Sequence, residues 1–170
     1  MKIAIIGYSG SGKSTLARQL GDRLNVPVLH LDSVHWLPGW QERPAEEGSA
    51  IVNDFLDRNA DWIIDGNYSS MAYSRRMEEA DRILYLDFPR RICLPRVLKR
   101  WITNRGKTRP DMGAGCTEKI DAEFLWWILW KGRTRKGRER RAALGKQYSQ
   151  KFRHFTRPRD VKEYLSQPEE

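Results

Sequence analysis

The segment from Gly7 to Ser14 constrains the fold and the chemistry of this chain more than any other feature. It reads Gly-Tyr-Ser-Gly-Ser-Gly-Lys-Ser and matches the pattern Gly-x-x-x-x-Gly-Lys-Ser/Thr. Its glycines let the backbone wrap closely, so that successive N–H groups point at phosphate oxygens. In this pattern the lysine supplies positive charge to the β- and γ-phosphates, and the hydroxyl after it faces Mg²⁺. The segment predicts a phosphate-binding loop; a glycine-rich turn that binds nothing is the alternative.

The residues on either side of this loop support the prediction. Residues 2–6 form a short apolar run typical of a buried strand, and residues 13–24 carry leucine and alanine at helical spacing. A helix that begins at Lys13 directs the positive end of its dipole at a bound anion. We therefore predict that the chain binds ATP and Mg²⁺, and that Lys13 is also catalytic. The predicted cofactor-binding residues are Gly7, Ser9, Gly10, Ser11, Gly12, Lys13, Ser14 and Thr15.

Strands and helices alternate along the rest of the chain. Further strands are predicted at 27–31, 62–65, 82–87 and 151–155, and helices at 45–58, 90–104, 118–131, 134–148 and after Pro158. Residues 32–44 are predicted to form a loop, and Pro95 is expected in the first turn of its helix or at a kink. This alternation predicts an α/β fold with a parallel sheet. The 170 residues suit a single domain, 1–170.

Composition excludes several classes of protein. With 39% hydrophobic and 31% charged residues, the chain is neither disordered nor a coiled coil. No apolar run approaches the roughly 20 residues that cross a bilayer, and the N-terminal run lacks the features of a signal peptide. Cys93 and Cys116 lack the spacing of a metal site and are expected to be reduced thiols. We predict a cytoplasmic protein without a membrane partner, and the oligomeric state stays open.

Two aspartates follow predicted strands, where open α/β sheets bind their ligands. Asp65 follows Trp-Ile-Ile, and we predict that it binds Mg²⁺ together with Ser14. Asp32 is predicted to be catalytic and to bind the substrate, by orienting or deprotonating a hydroxyl group. His35 lies in the segment that follows Asp32 and is a predicted substrate contact. A turn or helix-capping role is the alternative for either aspartate.

The middle of the chain is strongly basic. Residues 90–141 hold 16 Lys and Arg against 5 Asp and Glu, a net charge of +11 within a chain of +9. Arg105 and Arg109 flank the glycines of residues 105–117, so we predict a mobile lid there, with both arginines catalytic. Little packing is expected to hold this segment down, because few of its residues are apolar. Surface arginines without a role are the alternative.

Nucleic acid is a second anionic partner that this charge could serve. The run Phe-Leu-Trp-Trp-Ile-Leu-Trp at 124–130 stands next to the basic run 131–141. Aromatic side chains beside basic ones can stack on bases, whereas a packed helix is the simpler interpretation. The strand-end acids and the arginine-bearing lid favour a small-molecule phosphoryl acceptor, because a DNA-binding protein needs neither.

The whole chain resembles the DNA topology modulation (FlaR-like) proteins, a branch of the P-loop kinases similar to adenylate and shikimate kinases. The matching segments are 7–14, 30–32, 62–68, 86–87, 89–90, 105–107 and 109–111. The resemblance implies a three-layer P-loop NTPase fold with a five-stranded parallel sheet in the order 2-3-1-4-5 and a closing lid.

The resemblance also bears on the substrate. Asn67-Tyr68 stands where the adenylate kinases have Phe-Pro-Arg, so Arg76 is predicted to bind substrate in place of that arginine. The family name implies an effect on DNA supercoiling. Two functions therefore stay open at this stage. One is an ATP-dependent kinase of a nucleotide or a small hydroxylated metabolite, and the other is an ATP-binding regulator that contacts DNA.

Overall fold

The computed structural model describes residues 1–109, 111–113, 115–117, 126 and 128–166. The strands are β1 (Lys2–Gly7), β2 (Val28–His30), β3 (Trp36–Leu37), β4 (Gln41–Glu42), β5 (Trp62–Asp65), β6 (Arg82–Leu86) and β7 (Phe152–Phe155). The helices are α1 (Lys13–Leu24), α2 (Leu31–His35), α3 (Ala45–Arg58), α4 (Tyr73–Glu79), α5 (Arg90–Thr103), α6 (Arg135–Gln147) and α7 (Pro158–Ser166), with a 3₁₀ turn at Lys131–Arg133.

Five strands form one parallel sheet in the spatial order β2-β5-β1-β6-β7. When these five strands are numbered 1 to 5 along the chain, their spatial order is 2-3-1-4-5, the order that the family resemblance implied. The central strand β1 places Ile5 opposite Asp65 on one side and Leu84 on the other. The α/β fold class is confirmed. Because all strands are parallel, their carboxyl ends meet at one edge, where a ligand site is expected.

Helices cover both faces of the sheet and make two cores. Alternate residues of β1 point to opposite faces, so Ile3 and Ile5 belong to one core and Ala4 and Ile6 to the other. The first core includes Leu16 and Leu20 of α1, and the second includes Val52 and Leu56 of α3. Strands covered on both faces read as continuous apolar runs, which is why the sequence revealed them.

The structure differs from the sequence prediction in several places. The predicted loop at 32–44 contains most of α2 and the antiparallel hairpin β3–β4, and helix α4 was not predicted. Pro95 lies inside α5, in its second turn and on the exposed side. Most of the predicted helix at 118–131 falls outside the described residues. The other predicted boundaries agree with the structure to within about two residues, the usual uncertainty of helix ends.

Two further findings concern the chain as a whole. Both cysteines, Cys93 and Cys116, are free and buried. Of the helices that the structure describes, none combines the length and the apolar character that crossing a membrane would require.

Candidate active site

A cavity of about 580 Å³ lies at the carboxyl edge of the sheet. The loop between β1 and α1, which we call the P-loop (Gly7–Ser14), forms its floor. Its walls come from several elements: Asp32 in α2, Arg96, Arg100 and Asn104 in or next to α5, Arg109 and Asp111 in the 105–117 segment, and Pro158, Val161, Lys162 and Leu165 in α7. Of the eight predicted cofactor-binding residues, the seven from Ser9 to Thr15 line this cavity, and Gly7 is not among the lining residues.

The P-loop needs glycine at two positions for physical reasons. Gly10 has a φ of +77°, and a Cβ atom there would lie 2.5 Å from the Cys93 carbonyl oxygen of α5. Gly12 has a φ of +99° and precedes α1 without a side chain that could cap the helix. The first N–H groups of α1 therefore keep their capacity to bind an anion.

Two polar side chains of the P-loop fit a phosphate ligand. The Lys13 Nζ donates to the Tyr8 carbonyl oxygen at 3.2 Å, which keeps the ammonium group against the loop. Ser11 is 1% exposed, and its Oγ has no hydrogen-bond partner among the residues that the structure describes. A buried hydroxyl without a partner is costly, so it indicates a ligand-binding position rather than a packing role.

Asn67 holds the start of the P-loop through two hydrogen bonds. Its Nδ2 donates to the Gly7 carbonyl oxygen at 2.6 Å, and its Oδ1 accepts from the Gly7 N–H at 3.0 Å. Asn67 was not among the predicted site residues. The sequence feature that could have revealed it is the Asp-Gly-Asn-Tyr segment at 65–68, where an amide side chain with both a donor and an acceptor follows the end of a strand.

Ser14 and Asp65, the two predicted metal ligands, lie together. The Ser14 Oγ donates to Asp65 Oδ2 at 2.9 Å, and Asp65 is 4% exposed. The other carboxylate oxygen, Oδ1, lies 2.5 Å from His30 Nδ1. His30 lies in the predicted strand 27–31 and was not among the predicted site residues. Its proximity to Asp65 follows from the parallel pairing of β2 with β5, in which the two residues are partners.

Asp111 is a second carboxylate at this point of the cavity. It is 5% exposed, and its Oδ2 accepts from Arg109 Nη1 at 2.8 Å. Burial opposes ionisation of Asp111, but Arg109, backbone and Ser14 contacts hold its pKa below the ordinary value. Burial likewise opposes protonation of His30, but Asp65 and then Asp111 raise the pKa of His30 above its ordinary value. The contact with Asp65 therefore favours the protonated form of His30 over a wider pH range than in a free histidine.

Asp32 lines the cavity and is paired with a tyrosine. The Tyr68 hydroxyl donates to Asp32 Oδ1 at 2.7 Å. Burial, and then the charge of Asp32, raise the pKa of Tyr68, so the phenol stays protonated and the carboxylate stays the acceptor. His35 packs on Tyr68 with ring centroids 4.5 Å apart and on Trp36 at 4.6 Å. His35 is not among the residues that line the cavity.

The arginines differ from one another in position. Arg109 lines the cavity, as does Arg96, whose Nη1 donates to the Ser11 carbonyl oxygen at 3.0 Å. Arg105, which was predicted to be catalytic, is exposed and lies over the ring of Trp101, 5.5 Å from its centroid. The structure thus brings Arg109 to the site but not Arg105.

Arg76 does not have the substrate-binding position that the sequence predicted. It is completely buried in α4, where its Nε donates to the Met71 carbonyl oxygen and its Nη2 to the Tyr68 carbonyl oxygen, both at 2.8 Å. A further contact reaches the Gly66 carbonyl oxygen at 3.4 Å. Burial lowers the pKa of Arg76 to about 10. Its role is to hold the turn after β5, because its donors are used by the backbone.

The described part of the 105–117 segment is packed, contrary to the expectation that little holds it down. Met112 and Cys116 are buried, and the Cys116 thiol donates to the Leu37 carbonyl oxygen at 3.2 Å. The Trp40 Nε1 donates to the Thr117 carbonyl oxygen at 3.1 Å. The segment therefore docks on the β3–β4 hairpin, which the sequence prediction had missed.

Two arginines of the basic middle segment contact Tyr8 of the P-loop. The Arg133 guanidinium carbon lies 3.6 Å from the centroid of the Tyr8 ring, and its Nη2 donates to the Phe88 carbonyl oxygen at 2.8 Å. The Arg141 Nη2 donates to the Tyr8 hydroxyl at 2.7 Å. We call this arrangement the Tyr8 clamp (Tyr8, Arg133 and Arg141).

Comparison with solved structures identifies the fold. A shikimate kinase from Acinetobacter baumannii, solved in complex with shikimate, superposes with a TM-score of 0.57 and 18% identity over 96% of this chain and 90% of that chain. A shikimate kinase from Bacteroides thetaiotaomicron gives a TM-score of 0.51 and 18% identity over 97% of this chain and 94% of that chain. At such identities the similarity establishes the architecture alone.

Comparison with curated sequences adds two distant relatives. Threonine synthase-like 1 of Mus musculus is 29% identical over 100 residues, which are 51% of this chain but 13% of that protein. The uncharacterized protein YqaC of Bacillus subtilis (strain 168) is 28% identical over 126 residues, 74% of this chain and 69% of that protein. No family model matches, so the resemblance to the DNA topology modulation proteins stays a prediction. The chain has the P-loop kinase fold of the shikimate kinases.

Proposed function

We propose that this protein is an ATP-dependent kinase that transfers a phosphoryl group to a hydroxyl group of a small molecule. The observation that carries the proposal is the convergence of four different groups on one cavity. Lys13 and Ser14 stand on the floor, Asp32 and Arg109 lie in the walls, and Ser14 donates to Asp65, the other predicted metal ligand. Phosphoryl transfer is catalysed mainly by such positioning and by charge placed around the transferring group.

The residues present fit both predicted cofactors. Ser11 Oγ offers an unused buried hydroxyl within the described part of the P-loop, and α1 begins at the loop with its positive dipole end. Ser14 and Asp65 supply the hard oxygen ligands that Mg²⁺ prefers, and Mg²⁺ would neutralise charge that develops on the phosphates. Lys13 adds a positive charge for the phosphates, and Arg96 supports the loop by donating a hydrogen bond to the Ser11 carbonyl oxygen.

Asp32 is the residue that would act on the acceptor. Its pairing with the Tyr68 hydroxyl orients the carboxylate, which could accept a proton from a substrate hydroxyl or align that hydroxyl for attack. His35 would act indirectly, since it packs on Tyr68. We infer a hydroxylated metabolite rather than a nucleotide as acceptor, because the donors of Arg76, the predicted phosphate-binding arginine, are used by backbone carbonyls.

Arg109 is the arginine of the 105–117 segment that would act on the phosphates. It lies in the cavity wall, where its charge could stabilise the transferring group, and the segment that carries it would serve as the lid. Arg105, stacked on Trp101, would contribute nothing directly. Because the described part of this lid already packs on the β3–β4 hairpin, we expect closure to be a small adjustment rather than the ordering of a free loop.

Release of ADP with a panel of hydroxylated acceptors and nucleoside monophosphates tests the proposal. The Lys13→Ala and Asp32→Asn variants are run beside the wild type, with calorimetry for ATP binding. We expect Lys13→Ala to lose ATP binding, and Asp32→Asn to bind ATP normally while turnover falls by about 10²-fold or more, a typical loss for a general base. An Asp32→Asn protein with normal turnover would contradict the assignment of Asp32. A wild type that binds no ATP would contradict the whole proposal.

Binding of nucleic acid by the basic middle segment is the second candidate. Two exposed indoles favour it: Trp126 and Trp130 stack with centroids 4.5 Å apart while 54% and 53% exposed. Such rings can stack on unpaired bases. The test is a gel shift with single-stranded and duplex DNA at two salt concentrations. Binding that persists at physiological salt and is lost in a Trp126→Ala, Trp130→Ala double variant would support this candidate over the kinase.

A further inference from the structure

The side chain of Asn67 bonds to the P-loop as though it were one more residue of strand β5. The pairing of β1 with β5 ends with Ile5 opposite Asp65, and the Gly66 N–H then donates to the Ile5 carbonyl oxygen at 3.0 Å. Gly7 follows in β1, and the Asn67 amide bonds to both of its backbone groups, the carbonyl oxygen at 2.6 Å and the N–H at 3.0 Å. A carboxamide can do this because it carries a donor and an acceptor, as a peptide group does. A side chain thus extends the ladder while the main chain leaves the sheet.

The next residue, Tyr68, reaches the acceptor side of the site. Its hydroxyl donates to Asp32 Oδ1 at 2.7 Å. Arg76 holds the backbone on both sides of Asn67, since its guanidinium donates to the Tyr68 carbonyl oxygen at 2.8 Å and contacts the Gly66 carbonyl oxygen at 3.4 Å. Two neighbouring side chains on one supported segment therefore join the start of the P-loop to the residue that would act on the acceptor.

The surroundings of Asn67 separate it from both the core and the cavity. It is an exposed residue, and it is not among the residues that line the cavity. Its amide therefore acts on the site only through Gly7 and the loop that begins there. Phosphoryl transfer requires the transferring phosphate and the attacking oxygen to be held in line, so the position of the P-loop relative to Asp32 matters for the rate.

We propose that Asn67 is a positioning residue for phosphoryl transfer, which together with Tyr68 fixes the P-loop relative to Asp32. This inference rests on the proposed kinase function and adds the link between the phosphate side and the acceptor side of that site. Without the amide, water would take over the two backbone groups of Gly7, and the two sides of the site could shift independently.

A double-mutant cycle of Asn67→Ala and Tyr68→Phe tests the proposal. ADP release is measured at saturating ATP and Mg²⁺, with water and with the panel of hydroxylated compounds as acceptors. We expect Asn67→Ala to lower kcat by roughly tenfold to 10²-fold, because a misplacement of about 1 Å can have such a cost. A mere loss of ATP affinity would leave this kcat unchanged. In the Tyr68→Phe protein the link to Asp32 is already broken, so Asn67→Ala should lower kcat there by less than about twofold.

Asn59→Ala is the matched control. The Asn59 side chain also donates to a backbone carbonyl, that of Phe55 at 2.7 Å, but it does so at the C-terminal end of α3 and does not line the cavity. Both alanine variants should change the melting temperature by similar small amounts, since each loses the hydrogen bonds of one amide side chain. Only Asn67→Ala should lower kcat.

The inference and the kinase proposal fail in different ways. A normal kcat in the Asn67→Ala protein would overturn the inference. So would equal falls in kcat in the wild-type and Tyr68→Phe backgrounds, or a fall no larger than the loss of folded protein, because Asn67 would then support the fold alone. A wild type that binds no ATP, or that releases no ADP with water or with any compound of the panel, would instead overturn the kinase proposal.

Discussion

Replacing Tyr8 by phenylalanine removes one atom from the Tyr8 clamp and tests whether the clamp supports ATP binding. Tyr8 is 5% exposed, and its hydroxyl accepts from the Arg141 guanidinium at 2.7 Å. A hydrogen bond from a charged donor contributes about 1.5–3 kcal/mol. The phenylalanine ring keeps the contact with Arg133, so the loss should stay within that range. For a domain of this size, each kcal/mol lowers the melting temperature by about 2–4 °C.

The consequence for ATP follows from where Tyr8 stands. It is the second residue of the P-loop, so weakening its anchor populates loop conformations that do not bind phosphate. Since 1.4 kcal/mol corresponds to a factor of ten in affinity, a loss of about 1.5–3 kcal/mol would weaken ATP binding by at most about 10- to 150-fold. Calorimetry with ATP and Mg²⁺, together with a thermal melt, gives both numbers.

Tyr164→Phe is a matched control for this measurement. The Tyr164 hydroxyl also accepts from an arginine, Arg82 Nη1 at 3.0 Å, but Tyr164 is not part of the P-loop and does not line the cavity. Both variants should lower the melting temperature, and only Tyr8→Phe should weaken ATP binding. Equal ATP affinities in the two variants would refute the reasoning, because the clamp would then stabilise the fold without shaping the loop.

Three further substitutions have definite expected outcomes. Gly10→Ala should cost about 2–4 kcal/mol in unfolding free energy, since it combines a φ of +77° with a Cβ contact of 2.5 Å to a backbone oxygen; a denaturant melt within 1 kcal/mol of wild type would contradict this. Arg76→Met should cost about 1–3 kcal/mol for each buried carbonyl that loses its donor; the same melt measures it. The raised pKa of His30 predicts a stability that is fully present below its ordinary pKa of 6.5 and declines as pH rises through the folded value. His30→Gln should flatten that part of the pH profile, and an unchanged slope would show that other groups cause it.

Elements of the fold that bury an apolar face were predictable from sequence. The inner strands β1, β5 and β6 appear as nearly continuous apolar runs, and α1 and α3 show helical spacing of apolar residues. The hairpin β3–β4 was not predictable in this way, because each strand has two residues, Trp36–Leu37 and Gln41–Glu42, too short for any period to emerge. Its stability comes instead from the packing of the 105–117 segment against it.

The candidate site residues divide along similar lines. The P-loop, Ser14, Asp65 and Asp32 were predicted because their chemistry is tied to a local pattern or to the end of a strand. His30 was not predicted, although the sheet order would have revealed its position: β2 lies next to β5, so their last residues, His30 and Asp65, must be neighbours. Asp111 was not predicted because its place in the cavity wall depends on the path of the segment that carries it.

The arginines show that residue type alone does not predict which side chains lie in the site. Arg76 and Arg105 were assigned to the site because an arginine was expected nearby, yet one is buried in backbone contacts and the other is stacked on a surface tryptophan. A guanidinium group serves a backbone turn, a ring or a phosphate equally well, since its five donors suit all three. Only the surrounding structure decides between these uses.

The same reasoning changes the interpretation of the basic middle segment. A net charge of +11 over residues 90–141 suggested a nucleic-acid backbone as a partner, but three of its arginines point inward at the P-loop and the turn after β6. Arg96 donates to Ser11, Arg133 to Phe88 and Arg141 to the Tyr8 hydroxyl. An arginine that donates to a backbone carbonyl or a hydroxyl keeps its full charge, so these three side chains raise the positive potential around the P-loop. Under the proposed function that potential would favour the phosphates of ATP, which gives this part of the basic segment a use that does not involve DNA.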